Sequence, residues 1–145
     1  MKIKNMKEDL VKYLFDLDEN IVYDSYEIAG DTLIVVCHMP KKEGFSVKKK
    51  ETKVIKDVPF NNMNTILHLR VRYYYHKESS SEGTLMQREY LPFITQNTRR
   101  TKRYTDFIIN YCEGMNSYEA ERKLKNNNLT SITDNTITKI RKQIG

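Results

Sequence analysis

The chain has 145 residues, 39% of them hydrophobic, which is enough for one packed domain or two small modules and too apolar for wholesale disorder. Its net charge of +6 is unevenly placed, with −4 over residues 1–36 and +10 over residues 37–145, a balance that favours an anionic partner for the later part. No apolar run reaches bilayer length, the opening M-K-I-K-N-M-K-E-D carries no apolar signal region, and Cys37 and Cys112 make no disulfide framework; these features argue against a membrane or secreted protein, and a cytoplasmic location is expected.

Met6 to Leu17 carries apolar residues at Met6, Leu10, Leu14 and Leu17, with Val11 and Phe15 beside them, the spacing of a short amphipathic helix. Ile21 to Tyr26 and Thr32 to Cys37 read as strands around the turn Ala29-Gly30-Asp31. Pro40 to Gly44 is a loop. Phe45 to Val58 is a strand loaded with Lys48, Lys49, Lys50 and Lys53, typical of an exposed edge. Asn64 to His76 is the clearest strand, alternating Leu67, Leu69, Val71, Tyr73 and Tyr75 with a basic face of His68, Arg70 and Arg72. Lys77 to Gly83 is a polar loop, Thr84 to Leu91 a returning strand, and Pro92 ends it.

The run T-R-R-T-K-R at 98–103 opens a helix whose stripe is Tyr104, Phe107, Ile108, Tyr111 and Cys112, closed by Gly114. Two short helices joined by a polar elbow are then expected over Ser117 to Ile144. The first is capped by Ser117 and broken at Asn126 to Asn128, and the second is capped by Asp134 or Thr133. In that second helix Ile137, Ile140 and Ile144 form an apolar stripe, and the opposite face presents Asn135, Thr138, Lys139 and Lys142. Those groups can donate to base edges in a major groove, so the pair reads as a helix-turn-helix. The same pattern also describes a plain helical hairpin with a solvated basic face.

The pieces D-V-P-F at 57–60, L-H-L-R-V-R-Y-Y-Y at 67–75, E-Y-L-P at 89–92, T-R-R-T-K-R at 98–103 and T-D-N-T-I-T-K-I-R at 133–141 follow one another over about residues 30–145. This ordered set resembles the N-terminal region of the ISL-three family of insertion-sequence transposases, in which a small zinc ribbon precedes a helix-turn-helix and a catalytic domain. By that resemblance Cys37 and His76 stand at vestigial ligand positions. Pro40 occupies another, and the loop at 79–83 supplies no fourth cysteine. A structural zinc needs four ligands, so a metal-free sheet is expected, with no metal and no cofactor. No catalytic carboxylate domain of the family's kind is expected, and residues 1–145 carry no hydrolytic triad, phosphate loop or H-E-x-x-H.

The expected fold is therefore α+β: a small, antiparallel, zinc-ribbon-like sheet with an N-terminal helix over residues 1–92, then a three-helix helix-turn-helix unit over residues 93–145. The expected function is non-catalytic binding of double-stranded DNA by a stand-alone relic of a transposase, acting as a regulator or as a competitor at specific sites. Asn135, Thr138, Lys139 and Lys142 would read bases. Arg99, Arg100, Lys102, Arg103 and Arg141 would hold phosphates, with Arg70 and Arg72 extending the footprint across the sheet. The rival reading is an inhibitor encoded by a mobile element that binds a host protein such as a defence nuclease, favoured by the acidic first 36 residues and by Tyr73 to Tyr75. The oligomeric state stays open.

Overall fold

The computed structural model describes residues 6–75, 86–96, 98–111 and 113–126. Its elements run α1 (Met6–Leu17), β1 (Val22–Ala29), β2 (Thr32–His38), β3 (Val47–Phe60), β4 (Met63–Tyr75), β5 (Met86–Arg88), α2 (Lys102–Tyr111) and α3 (Ser117–Asn126). No helix among the described residues is long and apolar enough to cross a membrane.

The spacing of apolar residues in α1 buries Met6, Leu10, Tyr13 and Leu14, while Glu8 and Asp9 in the first turn complement the positive end of the helix. Val11 and Phe15 turn outward, 45% and 58% exposed. β1 and β2 form a hairpin whose turn needs Gly30 at φ 64°. β3 and β4 form a longer one, turned by Asn61 and Asn62 at φ 50° and 61°, the left-handed pair that matches the twist of a two-residue hairpin loop.

The strands lie in the order β1-β2-β4-β3, with β5 pairing the end of β4 over Tyr73–Tyr75. β2 and β4 are parallel, in a register that sets Leu33 beside Thr65, Val35 beside Leu67 and Cys37 beside Leu69. One face of the sheet thus carries Leu33, Val35, Cys37, Ile55, Leu67, Leu69 and Val71, and α1 covers it together with Leu91 and Phe93. A second, smaller cluster joins Tyr104 and Ile108 of α2 to Val58.

This corrects the expected fold. The sheet is five-stranded and mixed, not a small antiparallel ribbon, because pairing β2 with β4 is what brings both apolar sets under α1. The helices do not gather into a three-helix unit after a small sheet. α1 packs on the sheet, and the start of α2 is bonded into it: Lys56 N–H donates to Arg99 O at 2.8 Å and Thr101 N–H to Lys56 O at 3.0 Å. α3 begins at Ser117, but its cap is Asn116, whose Oδ1 accepts from Glu119 N–H at 2.8 Å while Glu119 reaches back to Asn116 N–H. The expected second helix, with Asn135, Thr138, Lys139, Arg141 and Lys142, lies outside the described residues, as does His76.

Candidate nucleic-acid interface

The basic run at 98–103 is shaped by one buried carboxylate. Asp57, 2% exposed on β3, accepts Thr101 Oγ1–H at 2.7 Å, Arg103 Nε–H at 2.8 Å and Arg103 Nη2–H at 2.6 Å. Arg103 also donates Nη1–H to Tyr13 O at 2.9 Å and lies over the Tyr13 ring at 4.1 Å. Burial pushes this guanidinium down, and the Asp57 carboxylate more than offsets it, leaving the group held up overall. Burial, reinforced by the charge of Asp57, also holds the Tyr13 hydroxyl well above its usual range. Arg103 is therefore a structural clamp between α1, β3 and α2.

Residues 98–101 run as a short lane beside β3, with Lys56 bridged to Arg100 and Ile94 to Thr101. Alternation along that lane sends Arg99 and Arg100 to opposite faces of the sheet. Arg99 is exposed beside Ile55 in a groove; Arg100 is half-buried beside Lys56, its Nε without a hydrogen-bond partner and its guanidinium pushed down by burial. Thr101 caps α2, its hydroxyl accepting Tyr104 N–H at 3.2 Å, and Lys102 begins the helix with its side chain exposed.

The groove, of about 1050 Å³, lies between β3, β5 and the 92–102 segment. Lys53, Arg88, Arg99 and Lys102 supply its cations, and Glu89 is the carboxylate in its lining. Glu89 is already occupied: it accepts Arg72 N–H at 3.1 Å and Tyr74 O–H at 3.0 Å, and pairs with Arg72 Nη1 at 3.5 Å. Lys53 is partly balanced from outside the groove by Glu51 at 2.9 Å. Tyr90 stands at the rim, 80% exposed. Its outward direction follows from its neighbours, since Glu89 and Leu91 both turn inward.

Of the expected phosphate contacts, Arg99 and Lys102 therefore share this groove. Arg72 is occupied by Glu89 and by Met39 O at 2.6 Å, and Arg103 by Asp57. Arg70 is exposed on the opposite face of the sheet, where Thr52 and His38 are its cross-strand neighbours. The tyrosines singled out as interface anchors are also largely used inside the fold. Tyr73 donates to Glu51 at 2.6 Å, and Tyr74 is buried, accepting Lys42 N–H at 2.8 Å. Lys53 and Arg88, which complete the groove, had no signal beyond their charge, because their meeting depends on β5 pairing with β4.

Cys37 is buried in the core, and burial, with the charges of Asp24 and Asp57 behind it, pushes its thiol up to about 12. His38 points to the other face, 2.8 Å from Asp24. Among the described residues no three His, Cys, Asp or Glu gather as metal ligands. Comparison of the chain with protein-family models, curated proteins and solved structures finds no match, so the likeness to ISL-three transposases rests on the quoted motifs alone.

Proposed function

We propose that this chain is a non-catalytic DNA-binding protein of the cytoplasm that grips DNA phosphates in the groove beside the start of α2. The observation that supports this reading is the gathering of Lys53, Arg88, Arg99 and Lys102 in one concave lining whose carboxylate, Glu89, is already neutralised by Arg72. Such a groove concentrates positive potential toward a polyanion. The motif likeness to a transposase's DNA-binding half points the same way and suggests a regulator or a competitor at DNA sites.

The test is the salt dependence of binding to DNA. Each phosphate contact contributes about 0.9 to the log–log slope for a duplex and about 0.7 for a single strand. Changing Arg99 and Lys102 together to Ala flattens that slope by about 1.4 to 1.8, whereas changing Arg70 leaves the groove contacts in place. An unchanged slope in the double variant removes the groove from the interface.

A protein-binding role draws on a different feature, the outward pair Val11 and Phe15 on α1 among Glu8, Asp9 and Asp16. It predicts a protein with no measurable affinity for DNA even at low salt.

A further inference from the structure

The wall formed by Gln87, Arg88, Glu89 and Tyr90 separates two cavities of unlike chemistry. On one side lies the cationic groove. On the other is a pocket of about 270 Å³ whose remaining lining is Met39, Pro40, Lys42, Phe45 and Tyr74. Phe45 and Tyr74 meet edge to face at 6.1 Å, and Lys42 Nζ sits 4.2 Å above the Phe45 ring. Tyr90 crowns the wall, mostly exposed, with no hydrogen bond on its hydroxyl among the described residues.

The two sides suit the two halves of a nucleotide. Phosphates are held by a cationic groove through charge, and planar bases by aromatic faces through stacking, a combination that tolerates any base because every base has a π face. In a duplex the π faces of the bases are covered by their stacked neighbours, so a wall that binds by stacking meets only the phosphates. We propose that the groove and pocket together take single-stranded DNA, with phosphates against Arg88, Arg99 and Lys102, one base stacked on Tyr90 and a neighbouring base entering the pocket beside Phe45. This inference rests on the DNA-binding reading and adds which form of DNA the site selects.

The alternative for each part is ordinary. An exposed tyrosine can be a consequence of its buried neighbours, and a small aromatic pocket can be a packing gap. Neither alternative predicts a preference between strand forms.

The experiment is fluorescence anisotropy with a labelled oligothymidine and a labelled duplex of equal phosphate number, at matched low salt, on the full chain. Wild type is expected to bind the single strand about tenfold more tightly than the duplex. Tyr90→Ala is expected to abolish that preference while leaving duplex affinity and its salt slope unchanged, and Tyr90→Phe to restore it, since the ring supplies the stacking. Tyr90 is so exposed that neither change disturbs the core, and a thermal melt superimposing on wild type confirms this. Equal binding of both forms, unaffected by Tyr90→Ala, overturns the single-strand inference and leaves the DNA reading standing. Binding to neither form overturns both.

Discussion

Arg103 grips Asp57 with a two-point fork across 46 residues of sequence, Nε on Oδ1 at 2.8 Å and Nη2 on Oδ2 at 2.6 Å. The carboxylate is sealed from water and the guanidinium only a quarter exposed, so removing either partner strands a charge in a poorly solvated place. Asp57→Asn is expected to cost about 3 kcal/mol in a urea melt. Arg103→Lys is expected to recover little, because an ammonium cannot reproduce the bidentate geometry. A loss under half a kcal/mol for Asp57→Asn would show that the clamp contributes little to the fold.

The β3–β4 turn makes a smaller prediction. Asn61 and Asn62 both sit in left-handed backbone, which asparagine tolerates and β-branched or alanyl side chains do not. Asn62→Gly should leave stability unchanged or raise it slightly, and Asn62→Ala should lower it by about 1 kcal/mol. Identical denaturation midpoints for the two variants would mean that the turn conformation is not what limits this hairpin.

Alkaline stability follows from Cys37. Its thiol is raised from 9.0 to about 12, so the folded state holds the proton that the unfolded chain releases first. That contribution is fully present below pH 9 and is lost as pH rises from 9 toward 12, at up to about 1.4 kcal/mol per pH unit. Cys37→Val should shallow the fall in stability between those limits, measured by urea melts across the alkaline range. The buried thiol should also resist alkylation in the native protein, which a Cys112→Ser background makes directly readable. Rapid native labelling of Cys37 would contradict its burial.

The parts of the fold that were legible in the sequence are those set by near neighbours. The apolar spacing from Met6 to Leu17 places α1 at the same bounds, alternation marks β4 as a strand, and the run of edge lysines marks β3. What could not be read is which strand lies beside which. β2 meets β4 in parallel across the intervening β3 hairpin, and that choice is made by the shared apolar face under α1 rather than by any local motif. The site followed the same division. The cationic run at 98–103 was visible, but whether each cation meets solvent or a carboxylate depends on Asp57, far back in the chain. The turn between β3 and β4 carried no sequence expectation; the structure makes it from Asn61 and Asn62, two residues that accept left-handed geometry.

Arg99 and Arg100 give the sharpest contrast, because they are neighbours with the same side chain and opposite surroundings. Arg99 is exposed in the groove, where a phosphate can reach it without disturbing anything. Arg100 is half-buried on the other side of the lane with its Nε unbonded, so the fold bears a desolvation cost there that no partner returns. Arg99→Ala is therefore expected to weaken DNA binding about threefold to tenfold at low salt, reduce the salt slope by about 0.7 to 0.9, and leave the melting temperature where it was. Arg100→Met keeps the packing of the aliphatic stem while removing the unbonded Nε with its guanidinium, and is expected to leave DNA affinity unchanged with stability equal to or slightly above wild type. Thermal melts and anisotropy titrations on the two variants side by side decide the matter. If Arg100→Met rather than Arg99→Ala lowers DNA affinity, DNA lies on the face with Lys56 and Arg70, and the groove is not the binding surface.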